Sequence, residues 1–244
     1  MSDEFTPEQR LAQITVILHR PQDAVNVGAI LRAMKNMGIS HLRLVQPELM
    51  ASAAILRVAH HCEDLLSQMT TYSTLDAALA DLHVVVGTAA LRHPGRTQTH
   101  DLRQLTAAMA HRLPQERIGI LFGQEDDGLD QAALDRCHLV ATIPTNTDYP
   151  ALNLAQSVLL LLYEVRMAVL STTGTATPPM PSADQAALAR LFDLSEATLA
   201  ALGFFKGNPA VVMRKVRQII YKAQLTPEEV ALLMAMLRSL ERGT

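Results

Sequence analysis

Five short apolar runs, separated by stretches of helical periodicity, limit what this chain can fold into. Ile14 to Leu18, Leu42 to Val45, His83 to Thr88, Ile118 to Phe122 and Leu139 to Ile143 have strand length. Between them lie helix-patterned segments at 27–37, 51–61, 75–80, 101–112 and 129–136, and a long, mostly apolar one follows at 153–170. Strand alternating with helix predicts an α/β domain, a mainly parallel sheet with helices on both faces. Thr6-Pro7-Glu8-Gln9 and Thr226-Pro227-Glu228-Glu229 have the form of capping boxes, each predicting a helix start. Residues 171–183, rich in Thr, Pro and Ser, have linker composition. After them the pattern is only helical, at 184–201, 209–223 and 227–242. The expected organisation is an α/β domain over 1–170, a linker over 171–183 and a helical extension over 184–244.

At 49% hydrophobic and 4% aromatic, with no Trp, the core must be aliphatic. A net charge of −3 argues against coating nucleic acid by bulk charge but leaves room for a local basic face. Two cysteines make no disulfide framework and fit a reducing compartment. The acidic start, Met-Ser-Asp-Glu-Phe-Thr, lacks the pattern of a signal peptide. The longest apolar run, Val158 to Tyr163, falls short of the ~20 residues of a membrane span. A cytoplasmic protein with no membrane partner is expected.

The stretch Asn26 to Gly38 follows the first strand and reads as a helix. Val27, Ile30, Leu31, Met34 and Met37 recur at helical spacing and can pack on a sheet, whereas Gly28, Arg32 and Lys35 share another face. Asn26 occupies an N-cap position and Gly38 a C-cap position. Arg32 is thus a charge on a rigid element just past a strand end, where open α/β sheets bind ligands. Two further loops share that kind of position: Phe122-Gly123-Gln124-Glu125-Asp126-Asp127-Gly128-Leu129, and Ile143-Pro144 with Leu152-Asn153-Leu154-Ala155.

In this order and spacing, the three segments resemble the motifs of the SpoU/TrmH-type branch of the SPOUT superfamily, S-adenosylmethionine-dependent RNA ribose 2′-O-methyltransferases. The likeness covers about residues 12–170. Leu202-Gly203-Phe204-Phe205-Lys206-Gly207 in the tail resembles the extension of the bacterial tRNA (cytidine/uridine-2′-O-)methyltransferase group. The resemblance implies a C-terminal trefoil knot in the α/β domain, which general topology rules treat as essentially absent. It implies S-adenosylmethionine contacts at Gly87, Thr88, Ala89, Gly123, Ile143, Pro150, Ala151 and Leu152. It implies a phosphate- and alkoxide-stabilising role for Arg32, with Asn26, Glu125 and Asn153 orienting the arginine and the loops. A guanidinium cannot act as a free base, so an electrostatic role suits Arg32. Family members usually carry serine at the positions of Ala151 and often Pro150; neither hydroxyl exists here. A homodimer is implied, with the helices at 27–37 and 153–170 contributing.

Candidate RNA contacts are Arg92 and Arg96 in a turn-like basic loop, and Lys206, Arg214, Lys215, Arg217 and Lys222 in the tail. Glu125-Asp126-Asp127 could hold Mg²⁺ but reads as a structural glutamate and two solvated acids before a helix start; His60-His61-Cys62 and Cys137-His138 have no second pair at zinc spacing, and no metal is expected. The leading function is 2′-O-methylation of tRNA at the first anticodon-loop nucleotide. The alternatives are ribosomal RNA as substrate, a base as target, an RNA-binding protein with impaired catalysis, or a small-molecule α/β enzyme.

Overall fold

The computed structural model describes residues 5–113, 115–172 and 180–241. Seven strands form one sheet in the order β3-β2-β1-β6-β4-β7-β5, and every pairing is parallel. They are β1 (Ile14–His19), β2 (His41–Val45), β3 (Thr70–Tyr72), β4 (Val84–Thr88), β5 (Gln98–Thr99), β6 (Ile118–Phe122) and β7 (Leu139–Ala141). Among the described residues the helices are α1 (Pro7–Leu11), α2 (Ala24–Met37), α3 (Ser52–Leu56), α4 (Glu63–Gln68), α5 (Leu75–Leu79), α6 (Leu102–Arg112), α7 (Gln131–Leu134), α8 (Leu154–Ser171), α9 (Gln185–Ala201), α10 (Pro209–Ala223) and α11 (Pro227–Glu241).

Alternate side chains of the central strands feed two cores, as strand geometry requires. Ile14, Val16 and Leu18 of β1, with Ile118, Ile120 and Phe122 of β6, join α2, α6 and α8 on one face. Ile17, Val85, Leu121 and Val140 join α5 and α7 on the other. Burial on both faces is why these runs are apolar throughout rather than alternating. The core is aliphatic apart from Phe122. Both capping boxes form: Thr6 with Gln9 and Thr226 with Glu229.

Several elements differ from the sequence expectation. The helix expected at 51–61 stops at Leu56, and α4 and the edge strand β3 follow it. The helix expected at 129–136 shrinks to Gln131–Leu134, because Asp130 caps its start through the Ala133 N–H. Asp23, not Asn26, caps α2: its carboxylate accepts from the Val25 N–H at 2.8 Å, so the helix begins three residues early. Gly28 does not lie on an open face with Arg32. It is covered by the turn after α3, and a Cβ there would stand 2.6 Å from the Ile55 carbonyl oxygen. Gly38 does close α2, with φ +75°.

Of the expected linker, residues 173–179 lie outside the described residues. Its end is anchored: Ser182 donates to Glu116 from both its N–H and its hydroxyl, at 2.8 and 2.9 Å. The helices α9, α10 and α11 enclose a core of their own around Leu188, Leu191, Phe192, Met213, Tyr221 and Val230. They also dock on the sheet domain, where the Gln185 N–H donates to the Leu82 carbonyl and Tyr221 stacks on His138 with ring centres 4.2 Å apart. By length and composition alone α8 could cross a membrane, yet Val158, Leu161, Leu162, Val165 and Val169 bury one of its faces in the main core.

Candidate active site at the strand ends

A cavity of about 350 Å³ opens where β4, β6 and β7 end. It is lined by one wall of Thr88 to Leu91 and His93, a second of Ala141, Ile143 and Pro150 to Leu152, and the loop Phe122 to Leu129. Seven of the eight residues expected to contact the cofactor line it: Thr88, Ala89, Gly123, Ile143, Pro150, Ala151 and Leu152. Gly87 does not. It lies in β4 against Cys137, and a Cβ there would come 2.6 Å from the Cys137 sulfur. Close packing against Cys137 accounts for the lack of a side chain here.

The walls are closely tied. The Ala89 N–H donates to the Ala141 carbonyl at 3.1 Å, and Thr88 Oγ1 donates to the Leu121 carbonyl at 3.1 Å. At Gly123 the chain doubles back so tightly that a Cβ would lie 2.0 Å from the Gly128 carbonyl carbon, so only glycine fits. Burial, with the Arg96 charge adding to it, holds the His93 imidazole below its ordinary pKa.

A chain of side-chain hydrogen bonds joins the three motif loops beside this cavity. Asn26 Nδ2 donates to Glu125 Oε1 at 3.1 Å, and Asn153 Nδ2 donates to Asn26 Oδ1 at 3.0 Å. Glu125 also accepts from the Gln22 and Asp23 N–H groups at 3.1 and 3.3 Å, where the α2 dipole favours an anion. Asn153 caps α8, its Oδ1 accepting from the Ala155 and Gln156 N–H groups. Asn26 is 9% exposed, so water competes little for these bonds.

Arg32 is not part of that clasp and does not line the cavity. It is exposed two turns along α2, with Nη1 3.5 Å from the Val58 carbonyl oxygen. The basic candidates divide. Arg96 is not available to RNA: its side chain is 1% exposed and pairs with Asp135 at 2.7 Å. Burial overrides its loop position because Asp135 and the Gln131 carbonyl and side chain await it. Arg214 pairs with the same Asp135 at 3.0 Å, and Arg217 lies over the Phe192 ring, 5.4 Å from its centre. Arg92, Lys206, Lys215 and Lys222 are exposed. Among the described residues no three His, Cys, Asp or Glu side chains gather as a metal site. Sequence reasoning did not assign Phe122, Leu129 and Leu154 to the cavity. Their place directly after or within the motif loops was the available signal.

An all-parallel sheet with a cavity at the ends of β4, β6 and β7, beside three clasped loops, is the frame of a ligand-binding α/β protein. The chain belongs to the SpoU rRNA Methylase family, whose family model matches residues 13–163. A tRNA (cytidine/uridine-2′-O-)-methyltransferase of Klebsiella pneumoniae is 33% identical over 240 residues, 95% of this chain and 98% of that protein. One from Cronobacter sakazakii is 33% identical over 95% of this chain and 97% of that protein. Among solved structures, TrmJ from Z. mobilis ZM4 is 28% identical with a TM-score of 0.81, covering 93% of this chain and 98% of that one. The tail helices lie within the span of these likenesses.

Proposed function

We propose that this protein transfers a methyl group from S-adenosylmethionine to a ribose 2′-hydroxyl of tRNA, at the first nucleotide of the anticodon loop. The observation that carries this reading is the cavity at the strand ends beside the three clasped motif loops, in a chain whose likeness to tRNA 2′-O-methyltransferases extends through the tail. The cavity fits the donor. Its volume lies in the range of small-molecule sites. Phe122, Leu129, Ile143 and Leu152 offer apolar area to an adenine, and Asp126 and Asp127 at its edge favour a cationic ligand.

The donor supplies a methyl group already activated on a sulfonium. The protein's task is alignment, which can supply much of the acceleration, and stabilisation of the alkoxide left as the 2′-hydroxyl loses its proton. Asn26, Glu125 and Asn153 hold the loops that form the site. Arg32 binds the phosphate of the target nucleotide and stabilises developing negative charge. With no hydroxyl at Ala151, substrate positioning there rests on backbone groups.

Arg32 serves a site completed in a homodimer. Leu159, Leu160, Tyr163, Met167 and Leu170 form an apolar strip on the outer face of α8, each 40–49% exposed, next to α2. A second copy of the chain covers that strip. We assign residues 1–170 to the catalytic domain, with a trefoil knot, and residues 184–244 to a tail joined by 171–183. Lys206, Lys215 and Lys222, with Arg92, contact RNA phosphates. The buried, unpaired Cys62 and Cys137 suit the cytoplasm.

Calorimetry with S-adenosylmethionine and transfer of labelled methyl groups to tRNA test the reading. Binding is expected in both wild type and Arg32→Ala, with transfer reduced at least a hundredfold in the variant. No binding by wild type, or full transfer by Arg32→Ala, would overturn it.

A further inference from the structure

One side chain outside the cavity ties its two walls together. Gln98 lies on β5. Its Nε2 donates to the Leu91 carbonyl at 3.0 Å and to Thr142 Oγ1 at 2.6 Å, and its Oε1 accepts from the His93 N–H at 3.0 Å. Leu91 and His93 belong to one wall, while Thr142 sits between Ala141 and Ile143 of the other. Both amide protons and one acceptor site of Gln98 are thereby used.

Behind Gln98 stands the tail. The Thr97 N–H and hydroxyl both donate to Gln218 Oε1 of α10, at 3.0 and 2.9 Å. Next to Thr97, the buried Arg96 meets Arg214 of α10 through Asp135. Residues 91–98 are therefore gripped by Gln98 on the cavity side and by α10 on the tail side. Little else holds their tip, where Leu91 is 64% exposed and Gly95, at φ +79°, has no atom within 4 Å of a Cβ position.

We propose that Gln98 is a positioning residue of the methyl-donor site, and that Gln218 makes the shape of that site depend on the seating of the tail. The inference rests on the donor reading above. A wall that is ordered only part of the time lowers apparent affinity in proportion to the fraction of competent molecules. Gln98 keeps that fraction high before the donor arrives. Because α10 grips the same segment, RNA that seats the tail tightens donor binding, and by linkage the donor tightens RNA binding by the same factor.

The test uses the full chain as wild type, Gln98→Met, Thr142→Val and Gln218→Leu. Donor Kd is read by calorimetry, steady-state constants from methyl transfer, and amide exchange at residues 89–97 without ligand. Gln98→Met keeps the length of the side chain and removes its hydrogen bonds. Its donor Kd and KM are expected to rise about tenfold, with kcat at saturating donor within twofold and exchange at 90–95 accelerated. Thr142→Val and Gln218→Leu are expected to raise donor Kd about threefold. Wild-type donor affinity in Gln98→Met, or a loss confined to kcat, would overturn the proposal. If Gln98→Met does not fold, wild-type affinity in Thr142→Val overturns it. Failure of the wild type to bind donor would defeat the donor reading instead, and unchanged exchange at 90–95 in the variants would then defeat this inference on its own.

Discussion

Replacing Asn26 by Asp tests the clasp most sharply, because the change alters charge and donor capacity but hardly shape. Asn26 Nδ2 lies 3.1 Å from Glu125 Oε1. An aspartate at that position sets a second carboxylate against the first. Two unit charges at this separation repel by about 5 kcal/mol at an effective dielectric of ~20. Rotation of the two carboxylates and solvent entering the gap relieve part of this, but the lost charge-assisted hydrogen bond adds about 1.5–3 kcal/mol. Asn26→Asp should therefore be destabilised by about 3–5 kcal/mol at pH 7.5, against about 1.5–3 kcal/mol for Asn26→Ala, which only removes bonds. The two differ in their response to pH. Repulsion raises the folded-state pKa of the carboxylate pair above its unfolded value, so the stability tied to its proton is present at low pH and is lost as pH rises through the folded pKa. Once protonated, the introduced carboxyl can donate to Glu125 as the amide did. Urea unfolding at pH 5 and 7.5 is the assay, with donor calorimetry in parallel. Asn26→Asp should regain stability relative to wild type at pH 5, and Asn26→Ala should not. An Asn26→Asp protein as stable as wild type at pH 7.5 would refute the argument that this bond clasps the loops.

Five further outcomes are expected. Arg96→Met should destabilise the fold by about 1.5–3 kcal/mol, because Asp135 keeps only Arg214 as its partner and the Gln131 carbonyl loses its donor, while Lys215→Glu should leave melting unchanged and weaken tRNA binding with a shallower salt dependence. Gly87→Ala should cost about 1–3 kcal/mol through its contact with the Cys137 sulfur, and Cys137→Ala in the same chain should restore part of that, as thermal melts of the single and double variants would reveal. His138 is half-buried beneath Tyr221, with its pKa lowered to about 3, chiefly by desolvation. The unfolded chain therefore binds a proton near pH 6.5 that the folded one refuses, and stability should fall from pH 6.5 toward 3 by up to about 1.4 kcal/mol per unit; His138→Asn should flatten that slope in urea titrations. Ala151→Ser should raise kcat for methyl transfer with donor Kd unchanged, and an unmoved kcat would mean that backbone contacts suffice.

The central strands and α2 were legible because burial on both sheet faces and one helix face writes itself as apolar runs and spacing. The edge strands β3 and β5 were not. Thr70–Tyr72 and Gln98–Thr99 are short and polar, and only pairing with β2 and β7 makes them strands. The cap of α2 was misread because Asp23 and Asn26 are both good capping residues, and only the demand of Glu125 for the Asn26 amide separates them. Most of the cavity was legible through motif resemblance. The burial of Arg96 was not, since its partner Asp135 lies 39 positions away and meets it only in the fold.

The order of strands has a consequence for how the chain is made. β1 is paired on one side with β2, next in sequence, and on the other with β6, where Ile14 faces Ile118 and Leu18 faces Phe122. At synthesis rates of about 5–20 residues per second, roughly 5–20 s separate the emergence of β1 from that of its second neighbour. Throughout that interval a largely apolar strand has one bare edge, the kind of surface on which nascent chains pair wrongly. The same long-range pairing that puts the binding loops at the middle of the sheet keeps its centre open until β6 has been made.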